Sequence, residues 1–433
     1  MTRSPRVLDA GGSVPESASP FRPLDGPVNR CMRTLLMIIS TVTAAAPAFA
    51  EKIAVAVSHR FVGPRPSEVI SIPFDEVSRL LPKARMFHLS VRDPRARRLA
   101  YQVTNYEHDH RGLDYDDLVF TYDFAAGETS ATFVIETVAE TTAPDAACVY
   151  ARAVPERYDD FAWENDRIAH RVYGPALNSD LAGRERLRSS GVDIWAKRVA
   201  YPIIDRWYAK GHDQFHKDEE GEGLDLYSIG PSRGAGGSGY WDGARLWTSD
   251  NYAAARVLAN GPRRAVFELT YQPWSAGDLG TVGETKRVTV DCGTNFSAVE
   301  SRLQIADDAL FGIGITMHPA VSRFAAPVVT KGENGRWLSV WEESEHGGLG
   351  IAAILAPGAE SAGFATEARS TPEGFGNHLL LVKAKSGAPI KYFTGAGWTG
   401  SGRFADRQSW EAYVTETAAR IDHPLTISIR SAP

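Results

Sequence analysis

The sequence predicts a mainly β protein made of two antiparallel sandwiches, a small one over residues 51–145 and a large one over residues 146–433. Three observations carry this. Short runs rich in Val, Ile, Thr, Phe and Tyr recur along the chain. Gly, Pro and Asp separate them. Only Gln408 to Ile421 carries a good helical pattern.

Ahead of the sandwiches, residues 32–50 read as a signal peptide. Met32 and Arg33 open it, and Leu35, Leu36, Met37, Ile38 and Ile39 start an apolar run. Ala48-Phe49-Ala50 offers small residues for cleavage, so the mature chain is expected to begin near Glu51. The apolar run is too short to span a bilayer. Residues 1–31 are rich in Pro, Ser, Gly and Arg without periodicity and read as a miscalled or disordered leader. The expected localisation is export, into a periplasm, with no membrane span in the mature chain.

Composition narrows the partners. The 433 residues carry a formal net charge of −6, and this mild acidity favours solubility and argues against a nucleic-acid partner. Beyond the leader two cysteines remain, Cys148 and Cys292, which an oxidising compartment would allow either to pair or to stay as buried thiols.

The small sandwich rests on Ile53 to Val57, Ser67 to Ile72, Leu118 to Tyr122 and Ala131 to Ile135, with a turn at Ala125 to Glu128. Thr141 to Asp145 reads as a linker. The large sandwich rests on Ile168 to Tyr173, Ala265 to Tyr271, Lys286 to Val290, Ala298 to Ile305, Leu349 to Leu355, Asn377 to Val382 and Leu425 to Ile429. Many of the 39 glycines fall between these runs.

Polar and aromatic residues concentrate between Asp159 and Tyr252. Taken as one strand, Trp163 to Tyr173 puts Glu164, Asp166 and His170 on one face and Asn165, Arg167, Arg171 and Tyr173 on the other. Charge on both faces points either to a cleft wall or to structural ion pairs. The runs Asp193 to Arg198, Asp205 to Tyr208, His212 to Glu222 and Gly230 to Trp241 interleave Trp and Tyr with charged groups. That mixture suits a sugar: aromatic faces stack on C–H surfaces, charged groups bond hydroxyls, and Arg or Lys pairs with a carboxylate or sulfate. Taken singly, Trp195, Trp207 and Trp241 are as well explained by a core.

Two sharper motifs are weaker than they look. His212 and His216 have the spacing of helical metal ligands, but Gly211 before them and the acidic run after them oppose a helix, so no metal is assigned. Gly230-x-Ser232-x-Gly234 matches a nucleophile elbow, but five glycines from Gly230 to Gly239 oppose the helix that such an elbow needs. Those glycines read instead as backbone approached by a bulky ligand.

The segment Tyr158 to Trp274 resembles the domain-of-unknown-function family 4861 of exported bacterial proteins. The resemblance rests on Trp163-Glu164-Asn165-Asp166-Arg167, Gly191 to Arg198, His216-Lys217-Asp218, Gly221 to Asp225, and Gly230-Pro231-Ser232 through Gly239. It implies a large β-sandwich of the galactose-mutarotase type and a setting in polysaccharide breakdown. A relative resembles an ulvan oligosaccharide dehydratase, which removes water from a terminal uronic acid. The activity implied is that of a carbon–oxygen lyase, a dehydratase or a β-eliminating lyase, with no cofactor and a uronic-acid-containing oligosaccharide as partner.

Such an elimination needs a cation for the carboxylate, a base for the C5 proton and an acid for the oxygen leaving C4. His216 is the expected base, Lys217 or Tyr208 the group near the leaving oxygen, and Arg198 or Arg233 the clamp. Glu164, Asp166, Arg167, His170, Trp195, Lys197, Arg233, Tyr240 and Trp241 are the expected substrate-binding residues. A glycoside hydrolase stays open, with Glu164, Asp166, Glu222 and Asp225 as available carboxylates. So do a non-catalytic glycan-binding protein and, more remotely, an esterase.

Overall fold

In the computed structural model the described residues are 52–432, apart from 108–114, 212–213, 321, 369–370 and 372. The leader, the signal segment and His212 lie outside them. Mainly β structure is what the sequence predicts and what the chain adopts, in five sheets whose pairings between named strands are antiparallel.

The alternation of Lys52–Ser58 and Ser130–Thr137 places one face of each strand inward. They pair with each other and extend through Leu89–Arg92 to Arg98–Leu99. The opposing sheet orders Arg65–Pro73, Asp117–Phe124 and Tyr101–Val103. Between them Ile53, Val55, Phe133 and Ile135 meet Ile70, Ile72, Leu118 and Phe120 in one core. The last strand, Thr426–Ser431, does not join the large sandwich: it pairs with Lys52–Ser58 and forms the edge of this first sheet.

The large body has an eight-stranded sheet running from Ala254–Asn260 to Val328–Lys331. In its Thr281–Asp291 strand, buried and half-buried positions alternate with period two. A five-stranded sheet faces it, with Ala235–Trp241, Ala309–Met317 and Gly376–Ala384 adjacent. The helix Arg407–Asp422 begins at Asp406, whose carboxylate accepts from Ser409 N–H at 2.8 Å while Ser409 Oγ accepts from Asp406 N–H at 3.1 Å. It lays Trp410, Val414 and Ala418 against Phe296, Trp341 and Ile354.

The third sheet of the large body carries most of the chemistry-bearing residues. Its order is Gly223–Leu224, Asp193–Lys197, Ile168–Val172, Asp160–Asn165, Val149–Val154. The run Trp163 to Tyr173 is therefore a hairpin and not one strand. Asn165 makes the turn: its Oδ1 accepts from the N–H groups of Arg167 (2.9 Å) and Ile168 (3.1 Å). The turn resets the side-chain phase. His170 pairs with Trp163, and Arg171 with Ala162, so Glu164 shares a face with Arg171 and not with His170. One face packs Trp163, Ile168 and Ile194 into the main core, and the other packs Ala162, Ala169 and Trp195 under Trp207, Tyr208 and Phe215.

Cys148 and Cys292 are joined as a disulfide, 144 residues apart in sequence. Among the described residues no helix is long and apolar enough to cross a membrane. Replacing both cysteines with Ser should lower the unfolding free energy by about 2–4 kcal/mol. A urea titration with an unchanged midpoint would show that the crosslink contributes nothing.

Candidate functional site

On the outer face of the third sheet a single guanidinium organises the polar groups. Arg171 is buried, and its Nη2 lies 2.5 Å from Asp193 Oδ2 and 3.1 Å from Asp225 Oδ2, with Asp160 Oδ2 at 3.9 Å from Nη1. Tyr173, Trp195 and Phe215 put their rings 5.2, 5.4 and 5.6 Å from its central carbon. One cation cannot neutralise three carboxylates. Burial and the neighbouring Asp193 accordingly push the Asp225 carboxyl well above the usual range, against the pull of Arg171 and Arg323.

His216 stands at the rim of this network. Its Nδ1 lies 3.0 Å from the backbone oxygen of Asp225 and 3.6 Å from Asp225 Oδ2, and a third of its side chain is exposed. Bonding to a carbonyl oxygen requires a proton on Nδ1, so Nε2 is the basic nitrogen of the neutral ring. Beside it the Asp225–Ser228 stretch meets a second histidine. Buried His318 places Nδ1 2.8 Å from Glu342 Oε1 and Nε2 2.9 Å from Ser228 O.

The Domain of unknown function (DUF4861) profile matches residues 57–427. The chain belongs to this family. Uncharacterized protein P7 of Formosa agariphila is 33% identical over 288 residues, covering 65% of this chain and 70% of that protein. Two solved structures from Enterococcus faecalis superpose on 87% of the chain: an alpha-mannosidase (TM-score 0.45, 10% identity) and a protein in Glycosyl Hydrolase Family 38 (0.46, 11%). The chain spans 46% and 47% of their lengths.

Within this family member the expected site residues divide into three groups. The first stays near His216. Lys217 is half exposed, with Nζ 3.8 Å from Glu219 Oε1. Arg198 lies over Trp398 at 4.5 Å and binds Asp218 Oδ2 through Nε at 3.0 Å and Nη2 at 2.5 Å. Asp218 also accepts from Gly223 N–H, which ties Arg198 to the His216 turn.

The second group is committed to the fold. Lys197 is fully buried and donates to Glu164 Oε2 at 2.5 Å and Asn165 O at 2.7 Å. Glu164 also accepts from Ile203 and Ile204 N–H, capping the short Ile204–Lys210 helix. His170 stacks on Trp163 at 5.3 Å. Trp195 is buried against Trp207, Tyr208 and Phe215. Tyr208 is buried too, its hydroxyl 3.4 Å from Asp160 Oδ2, with burial first and Asp160 second raising its pKa far above 10. Arg233 is buried, donating to Ser190 Oγ (2.8 Å) and Pro231 O (3.0 Å), and burial lowers it to about 10.

The third group lies elsewhere. Asp166 and Arg167 pair at 3.1 Å beside the hairpin turn, where Asp166 also accepts from Gly293 N–H. Tyr240 and Trp241 line a cavity of about 600 Å³ with Asp242, Asp308, Glu360, Lys383 and Lys385, and Tyr240 donates to Asp278.

The glycine-rich stretch is not a ligand cradle. Gly234 has φ +62° and a Cβ there would stand 2.0 Å from Val192 O; one at Gly239 would meet Trp247 O at 2.5 Å. Gly234 lets the chain leading into the third sheet approach the facing sheet, through the Val192–Gly234 bridge, and Gly239 lets Leu246–Trp247 approach within its own sheet. Ser232 is buried and bonded to Ile229 O and Thr316 Oγ1, both at 2.6 Å, which is a structural role. Among the described residues no His, Cys, Asp and Glu group could hold a metal ion.

Two buried groups make stability depend on pH in opposite senses. Burial raises Asp160 to about 6, with Arg171 and Arg157 opposing, and lowers His170 to about 4. The folded chain holds the Asp160 proton more tightly than the unfolded chain, so that contribution is complete below about pH 4 and is lost as pH rises through about 6. His170 resists protonation in the fold, so its contribution is complete above about pH 6.5 and is lost as pH falls through about 4. Asp160→Asn should remove the first and expose the second, giving stability that climbs by about 3 kcal/mol between pH 4 and 6.5. Urea titrations across that range test this; a profile parallel to the parent's would refute it.

Proposed function

We propose that the protein is a carbon–oxygen lyase that eliminates across C4 and C5 of the terminal uronic acid of an oligosaccharide. The observation that carries this reading is His216, a part-exposed imidazole fixed through Nδ1 on Asp225 O, with its Nε2 as the basic nitrogen. In the step, Nε2 takes the C5 proton. The C5–H electron pair becomes the C4=C5 double bond, the C4–O bond breaks, and the departing oxygen takes a proton. Lys217, one residue away and half exposed, is the nearest expected donor to that oxygen. A dehydratase releases water here and a lyase releases a sugar.

A hydrolase would instead need two carboxylates facing across a cleft. The available ones are engaged. Glu164 caps a helix and pairs with Lys197, and Asp166 holds Gly293 N–H and Arg167. Glu222 accepts from Tyr201, Trp207, Lys210 and Arg206, and these bonds overcome burial to draw it down to about 2. Asp225 is buried beside Arg171.

The test uses uronate-terminated oligosaccharides and the ultraviolet absorbance of the conjugated double bond. His216→Ala should lower the elimination rate by about 10²–10⁴-fold with an unchanged unfolding midpoint. Full activity in that variant would remove His216 as the base. Release of reducing ends without the new absorbance would favour a hydrolase.

We also propose export. The signal-like run and the Cys148–Cys292 bond both support an oxidising compartment. N-terminal sequencing of the periplasmic protein should begin near Glu51, and an intact Met32 start would refute processing.

A further inference from the structure

Several described cations of this region are paired with carboxylates. Arg198 pairs with Asp218, Arg152 with Asp205 and Glu156, and Arg206 and Lys210 with Glu220 and Glu222. Arg323 is exposed, and among the described residues no carboxylate forms an ion pair with it. Its Nη2 donates to Ser228 Oγ at 3.0 Å. Since that oxygen accepts from the guanidinium, the serine's own O–H is turned away from Arg323 and is left to donate elsewhere.

Both groups are held to one ring. His318 bonds Ser228 O through Nε2 and Glu342 through Nδ1, and its face stacks on Phe324 at 4.5 Å, next to Arg323 in sequence. Both ring nitrogens are engaged, so the imidazole cannot turn without breaking one of these contacts. Ala325 N–H adds a bond to Glu343 O at 2.8 Å. The segments bearing Arg323 and Ser228 are therefore fixed relative to each other before any ligand arrives.

The same stretch of chain reaches the base. Asp225, whose backbone oxygen holds His216, precedes Ser228 by three residues, a span of about 10 Å when extended. The Arg323 charge acts on the Asp225 carboxyl across this span. Ser228 and the Asp225 oxygen that holds His216 thus lie on one short stretch of chain, within about 10 Å of each other.

We infer that Arg323, with Ser228 O–H beside it, binds the uronate carboxylate and selects free acidic sugars over neutral ones and over methyl esters. This deepens the lyase reading and rests on it for the identity of the sugar. In the reaction the guanidinium draws charge from the carboxylate, which makes the C5 proton more acidic.

The experiment is calorimetry on the full chain at low salt. Methyl glucuronide, galacturonide and iduronide are each compared with the neutral methyl glycoside and with the uronate methyl ester. The parent should bind at least one free acid about 10–100-fold more tightly than its neutral counterparts. Arg323→Gln should abolish that preference with an unchanged unfolding midpoint, Arg323→Lys should keep part of it, and Ser228→Ala should reduce it. An Arg323→Gln variant that keeps the preference overturns the inference, as does a parent that shows none in any pair. The lyase reading fails separately: a preference lost in Arg323→Gln while no oligosaccharide gains the double bond leaves Arg323 standing and the elimination refuted. An elimination unaffected by Arg323→Gln gives the reverse.

Discussion

The buried guanidinium of Arg171 is the constraint on which the site depends. It reaches carboxylates from three other segments, Asp160, Asp193 and Asp225, and three aromatic rings close over it. A charge taken out of water is tolerated only when it is paired and bonded on every side. Here the pairing itself builds the geometry: the hairpin, its neighbour strand and the stretch after Glu222 must all bring an oxygen to one point. Removing that cation would leave carboxylates buried without a partner, a class of change that costs about 3–5 kcal/mol. Since Asp225 is one of them, the position of His216 follows from the same requirement.

The sheet that carries Arg171 is buried on both faces, and this explains why so many polar residues of the run from Asp159 onward are not available to a ligand. The inner face belongs to the main core and the outer face is roofed by Trp207, Tyr208 and Phe215. Polar groups under that roof must satisfy one another, as Lys197 and Glu164 do. Chemistry is left to the rim, where the roof ends at His216 and the loop from His318 to Ala325 begins.

Strands were legible where side chains alternate or where β-branched runs end in turn residues, as in Ile53 to Val57 and Ala131 to Ile135. The helix at Arg407–Asp422 was legible from its period, with Asp406 as its cap. The hairpin at Asn165 was not: Asn-Asp inside an apolar-rich run can end a strand or sit within it, and only the cross-strand partners decide. Lys197 and Arg198 adjoin in sequence, yet one is fully buried and the other lies over Trp398. Composition marked both as sugar-binding and could not tell inside from outside. Trp195 was ambiguous in the same way, because it offers the same face to a pyranose or to Trp207. Arg323 and His318 carried no local motif. They join the site only because the strand Ala309–Met317 ends beside Ser228, and that contact spans about ninety residues, beyond the reach of a short-range pattern.

The hydrogen bond that orients His216 also bears on which reaction suits it. Its partner at 3.0 Å is a backbone carbonyl, and the Asp225 carboxylate is farther away at 3.6 Å. A carbonyl fixes the tautomer without adding a negative charge against the ring. The Asp225 carboxyl itself is pushed toward its neutral form by burial and Asp193. The imidazole is therefore held in one tautomer, with Nε2 as its basic nitrogen. In the proposed elimination, a ring fixed in this way presents one defined nitrogen to the C5 proton.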